Sequence, residues 1–131
     1  MCGMDVAIKI MKAKKDTNKS NLKRLKKEYW MLKTLQHPHI LRCLGYSKFK
    51  SKYCLILERC TNGSLNQYLN NHSLTLNQRL QLAYNLSGVI EYMHYKGICH
   101  YDIKPHNILL TEHLEPKLCD FGLSEMAEND Q

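Results

Sequence analysis

Four groups of residues in this 131-residue chain combine charged side chains with spacings that could support chemistry. Val6-Ala7-Ile8-Lys9 sets a lysine at the end of an apolar, branched run. Glu28 stands between Leu25 and Leu32. The stretch His100-Tyr101-Asp102-Ile103-Lys104-Pro105-His106-Asn107 gathers a carboxylate, an ammonium and an amide within six positions. Asp120-Phe121-Gly122 follows, with Asp102 and Asp120 eighteen positions apart. Taken singly, each group has an ordinary reading. Lys9 and Glu28 would make a surface ion pair worth little. Asp102 would form a turn and Asn107 would cap the next segment. Phe121, Leu57, Leu109 and Ala7 would be core. Only their joint order along the chain suggests a site.

The elements that must position these groups follow from hydrophobic period and punctuation. Residues 5–11 read as a short strand, and 12–20 as a loop or helix entry. From Ser20, Leu22, Leu25, Tyr29 and Leu32 recur at steps of three and four, which predicts an amphipathic helix ending near Gln36. His37-Pro38 stops it, because the residue before proline is pushed out of helical geometry. Residues 40–46 and 52–57 read as strands. Thr61-Asn62-Gly63 is a turn, and Ser64 caps a short helix carrying Leu65, Tyr68 and Leu69. Thr75 and Gln78 form a capping box for the longest helix, 76–95. Its expected buried face runs through Leu80, Ala83, Leu86, Ile90 and Met93, with Leu82 and Val89 off that face. Gly97 ends it. Ile98-Cys99, a polar loop, Ile108-Leu109-Leu110, a turn and Lys117-Leu118-Cys119 complete the frame. Lys9 is therefore expected on a strand, Glu28 on the inward side of the next helix, Asp102 to Asn107 in a loop and Asp120 at a strand end.

In those residues the chain resembles the eukaryotic protein kinases, whose signature set is a lysine in V-A-I-K, a helical glutamate, H-R-D-x-x-x-x-N and D-F-G. The similarity runs from about Val6 to Leu123. It implies an α+β, bilobal kinase-like fold in part. Residues 1–60 would be a small β-rich N-lobe, lacking its first two strands, plus the hinge; residues 61–131 would be the first half of a helical C-lobe. It also implies the cofactors ATP and Mg²⁺. Catalysis of phosphoryl transfer is positioning and charge stabilisation, so Asp120 and Asn107 would hold the hard Mg²⁺ ion with oxygen ligands. Lys9, paired to Glu28, would bind the α/β-phosphates. Asp102 would accept the proton of the attacking hydroxyl, and Lys104 would lie against the γ-phosphate. Ala7 and Leu109 would cover the two faces of the adenine, Leu57 would be the gatekeeper, and Glu58-Arg59-Cys60 the hinge. The D-x-K-P-x-N pattern resembles kinases acting on serine or threonine of a protein substrate.

Three departures from the pattern stand out. No G-x-G-x-x-G loop precedes Lys9, and Met1 to Asp5 reads only as a turn into the lysine strand. The chain stops at Gln131, before an activation segment or an A-P-E motif, so about half a kinase domain is expected. Tyr101 stands where an arginine usually precedes the catalytic aspartate, and a tyrosine cannot make that arginine's charge-assisted bonds to a phosphorylated loop.

Bulk properties narrow the alternatives. A hydrophobic content of 44% with 24% charged residues suits a folding chain. No apolar run is long enough for a membrane span, and no signal region opens the chain, so a cytoplasmic protein without a membrane partner is expected. The six cysteines form no C-x-x-C pair and read as reduced, mostly buried thiols. The net charge of +7 arises between Lys9 and Lys33, where ten basic residues face two acidic ones. That stretch lacks any stacking platform or groove-reading motif, so it reads as a solvated helix face and no nucleic-acid partner is expected. A nucleic-acid-binding protein built on this stretch is the more distant rival. The nearer one is a kinase-derived module that binds without transferring phosphate.

Overall fold

A computed structural model describes residues 5–11 and 18–126. Residues 1–4, 12–17 and 127–131 lie outside the described part, and with them Cys2, most of the expected turn into the first strand and most of the polar stretch 12–20. Strand β1 (Val6–Ile10) pairs antiparallel with β3 (Lys52–Glu58), placing Ala7 opposite Leu57 and Lys9 opposite Leu55. Strand β2 (Cys43–Phe49) pairs with the other edge of β3, giving the order β1-β3-β2. With one face covered, β3 buries Leu55 and Leu57 there, while Cys54, which points to the other face, is also buried.

Helix α1 (Asn18–Thr34) covers that face. Leu25, Met31 and Leu32, with Leu35 just beyond the helix, enter a core shared with Leu55 and Leu57 of the sheet. Lys23, Lys26, Lys27 and Lys33 lie exposed on the outside, as the solvated-face reading requires.

The expected strand at 40–46 starts later, at Cys43. Residues 39–41 are claimed by another element: Leu41 N–H donates to the Leu118 carbonyl at 2.9 Å, and Leu118 N–H to the His39 carbonyl at 2.8 Å. A periodicity argument sees only apolar residues in a row and has no information on which partner takes their amides.

The helical part begins with α2 (Leu65–Asn71) and α3 (Leu76–Tyr95). Both carry capping boxes, expected in full for α3 and, for α2, only as the Ser64 cap. Ser64 Oγ accepts from Gln67 N–H and Thr75 Oγ1 from Gln78 N–H, while each glutamine returns a bond to the cap's own N–H. Such a cap stabilises a helix by about 1 kcal/mol. Gly97 follows the Lys96 C-cap of α3 with φ +67°, the left-handed turn-off that glycine makes without a Cβ penalty.

The buried face of α3 differs from expectation. Leu82, Val89 and Met93 are buried, whereas Leu80 is 59% exposed and Ala83 lies at the surface. Leu86 and Ile90 are half-buried. The helix is apolar around most of its circumference, so two stripes compete for burial. Packing decides between them: α3 lies against β4 (Ile98–Cys99) and β6 (Pro116–Leu118), and Leu82 joins Leu74 and Leu110 in a satellite cluster. Leu76, Leu80 and Tyr84 stay exposed.

After β4, a 3₁₀ turn (Pro105–Asn107) leads into β5 (Ile108–Leu110), which pairs antiparallel with β6. The sequence did not suggest β7 (Glu125–Met126), a two-residue strand that pairs with β4. The result is a small β-rich lobe against a helical one, as the resemblance implied. One core cluster runs through both, from Leu25 and Leu55 to Val89, Ile108, Leu118 and Phe121.

Candidate active site

A cleft of about 280 Å³ opens between the two lobes. Six of the residues singled out in the sequence line it together: Lys9, Glu28, Leu57, Asn107, Leu109 and Asp120. Strand β1 alternates its side chains, so Lys9 points to the same side as Ala7. Glu28 projects inward from α1 and is only 3% exposed. The Lys9 ammonium lies 2.8 Å from Glu28 Oε1 and 3.3 Å from Asp120 Oδ1, bridging the lobes. Burial alone would depress the ammonium's pKa. Glu28 and Asp120 outweigh that effect and raise it above the usual lysine value, so Lys9 remains charged.

Asp102 occupies the loop before the 3₁₀ turn. Its Oδ1 is 3.1 Å from Lys104 Nζ, and its Oδ2 accepts from Asn107 Nδ2 at 2.9 Å. The same amide donates to the Asp102 carbonyl at 2.9 Å. Two donations from one nitrogen fix the orientation of the Asn107 amide, because a carboxylate and a carbonyl only accept. Among the described residues its Oδ1 is left uncommitted. Lys104 first, and Asn107 after it, hold the Asp102 carboxyl below its ordinary value. Asp102 is therefore an ionised acceptor at neutral pH. Lys104→Ala is expected to move the Asp102 titration upward, as read by carbon NMR of the carboxyl; an unchanged midpoint would mean that Lys104 is not the cause.

His100, 3% exposed, ties this loop to the strand before Asp120. Its Nδ1 accepts from the backbone N–H of Asp102 at 3.1 Å. Since Nδ1 is the acceptor, the proton of the neutral ring sits on Nε2, which donates to the Cys119 carbonyl at 2.9 Å. Burial lowers the His100 pKa, against the opposing pull of that carbonyl and of Asp102 and Asp120. The neutral tautomer is thus the one the site holds at neutral pH. The ring meets Phe121 edge-on, with centroids 4.8 Å apart.

The Asp120-Phe121-Gly122 turn was expected to end a strand. Strand β6 ends at Leu118, and Asp120 takes φ +59°, a left-handed conformation that aspartate tolerates better than most residues. That twist sends Phe121 into the core and the Asp120 carboxylate to the cleft.

The chain compares with known proteins as this geometry suggests. The model of the protein kinase domain family matches residues 2–131. The chain belongs to that family. A probable serine/threonine-protein kinase of Dictyostelium discoideum is 36% identical over 95% of the chain. The RGS domain-containing serine/threonine-protein kinase A of the same organism is 36% identical over 95%. The Arabidopsis thaliana serine/threonine/tyrosine-protein kinase HT1 is 34% identical over 91%. The chain spans only 14%, 11% and 32% of the lengths of these three relatives, so relative to them it is a partial kinase domain.

Within this kinase domain some expected site residues stand apart from the cleft lining. Ala7 packs half-buried against the core beside the cleft. The Glu58 side chain turns away from the cleft, its Oε1 accepting from Arg42 N–H at 2.7 Å and lying 3.2 Å from Lys117 Nζ. Burial pushes the Cys60 thiol up to about 11. Tyr101 is 65% exposed and holds φ +64°, an uncommon conformation for a large side chain. Leu32, Leu41, His106 and Cys119 also line the cleft and were not anticipated. Cys119 could have been: it precedes Asp120 directly, and burial pushes its thiol up to about 12, so it presents a neutral, apolar surface. Leu32 and Leu41 carried no signal beyond core periodicity.

Proposed function

We propose that this chain carries the phosphoryl-transfer centre of a protein kinase acting on serine or threonine hydroxyls of a protein substrate, with ATP as donor. The observation that carries the reading is the convergence of Lys9, Glu28 and Asp120 at 2.8 and 3.3 Å in a cleft that Asn107 also lines. In protein kinases the strand lysine must pair with the helical glutamate for activity.

The residues fit the groups the reaction needs. Asp120 and the uncommitted Oδ1 of Asn107 are hard oxygen donors suited to Mg²⁺, which when bound would neutralise charge on the phosphates. Lys9 would bind the α/β-phosphates, kept cationic and in place by Glu28. Leu57, Ala7 and Leu109 offer apolar walls to the adenine. At the hinge, the Cys60 N–H has no partner among the described residues and is available to the base edge. Asp102, ionised and held by Lys104 and Asn107, would receive the proton of the attacking hydroxyl at its carboxylate. Lys104 would then be shared between that carboxylate and the γ-phosphate.

Transfer of radiolabelled phosphate from ATP to a mixed protein substrate, compared between the chain and Asp102→Asn, tests this reading. A general base contributes about 10²–10⁴-fold, and a drop of that size is expected with nucleotide binding retained. Binding of nucleotide with equal, background transfer in both proteins would instead show a module that binds without catalysis.

A further inference from the structure

At the C-terminal end of α1 a second, larger cavity of about 530 Å³ opens between the last turn of that helix, the loop through His37, the start of β2 and Lys117 of β6. Its volume lies in the range of about 300–1,000 Å³ common for small-molecule sites. The floor is apolar: Leu32, Leu35, Ile40 and Cys43 are each 4% exposed or less. The rim is cationic, with Lys33, Arg42 and Lys117, and no aspartate or glutamate is among the lining residues.

The three cations are not equivalent. Lys117 is held by Glu58 at 3.2 Å, so its charge is largely answered. Among the described residues no carboxylate forms an ion pair with Lys33 or Arg42. Among the described residues the Lys33 ammonium has only the Tyr29 ring, 5.7 Å from its centroid. Arg42 is anchored through its peptide, whose N–H donates to Glu58 and whose carbonyl accepts from Glu58 N–H at 3.0 Å. Its guanidinium is uncommitted among the described residues. Two cations without a carboxylate partner among the described residues, beside apolar side chains, suit a ligand with one anionic end and an apolar body, since a guanidinium binds a carboxylate through two parallel bonds.

We propose that this cavity is a second ligand site, distinct from the nucleotide cleft, for an amphipathic carboxylate. Arg42 and Lys33 would hold its head, and its hydrocarbon body would rest on Leu35, Ile40 and Cys43. The two cavities share only Leu32 as a wall, so each can be filled on its own. The proposal does not depend on the chain transferring phosphate.

Calorimetric titration of the chain with octanoate tests it, with octan-1-ol and acetate as the uncharged and tail-less controls. One saturable octanoate site is expected, with each control at least about fivefold weaker. Arg42→Gln should weaken octanoate about tenfold. That variant keeps both backbone bonds to Glu58, so an unchanged melting temperature is expected alongside. Lys33→Gln gives a second, independent loss. A non-hydrolysable ATP analogue in excess should leave octanoate affinity within about twofold, as separate, uncoupled sites would. Absence of saturable binding, equal binding of octan-1-ol, an unaltered affinity in the double variant, or displacement by the ATP analogue would each overturn the proposal.

Discussion

Phe121→Ala is expected to lower folding stability by about 3–5 kcal/mol, the usual cost of removing a buried phenylalanine ring. The side chain is completely buried and lies in the cluster that joins the two lobes. Its edge-on contact with His100 adds about 0.5–1.5 kcal/mol beyond area burial. Cavity and contact act at the point where the loop bearing Asp102 meets the turn bearing Asp120. Against a total of about 5–15 kcal/mol for a typical domain, such a loss is a large fraction. Urea unfolding followed by circular dichroism measures it, and Phe121→Leu should recover more than half by refilling most of the volume. A loss under about 1 kcal/mol in the alanine variant would mean that the ring does not hold the lobes together.

The second large effect is expected from Lys9→Met, which leaves the Glu28 carboxylate, 3% exposed, without its cation. Breaking a buried ion pair from one side costs about 3–5 kcal/mol, mostly as the penalty for the charge left behind. The Lys9 side chain keeps 35% of its exposure, so water partly replaces it and the lower end, about 3 kcal/mol, is expected. Glu28→Leu in the same chain removes the stranded charge, and the double variant should regain at least half of the loss. Nucleotide binding behaves differently. It should fall in Lys9→Met and stay low in the double variant, because no cation remains for the phosphates. Strictly additive stability losses would show that the pair is not coupled. Recovery of nucleotide binding in the double variant would show that Lys9 is not a phosphate ligand.

These expectations rest on features of unequal legibility. Local punctuation was readable from the residues alone: Ser64 caps α2, Thr75 has a glutamine three positions on, Pro38 follows the end of α1, and Gly97 turns the chain out of α3. In each case the physical cause lies within four residues, as a side chain that bonds a neighbouring amide or a backbone that cannot continue. The chemistry-bearing groups were legible for a related reason. Lys9, Glu28, Asp102, Asn107 and Asp120 are each needed as a particular residue type, and their order along the chain placed each on or beside its element before any contact was known.

Tertiary structure alone decided what depended on which of two plausible partners won. Helix α3 offers apolar residues on more than one face, and β4 and β6 selected Leu82 and Val89 over Leu80 and Ala83. Ile40 and Leu41 look like strand, but Leu41 gives its backbone bond to Leu118. The left-handed turn at Asp120 and the neutral tautomer of His100 follow from bonds between segments that sequence distance keeps apart. The second cavity beside Arg42 belongs here too, since its floor comes from α1, the following loop and β2, and no period or motif brings those surfaces together. Composition and spacing could name the kind of chemistry because covalent neighbours and residue types carry it. They could not say where burial falls or which cations stay unanswered, because both are set by long-range packing that forms only when the lobes meet.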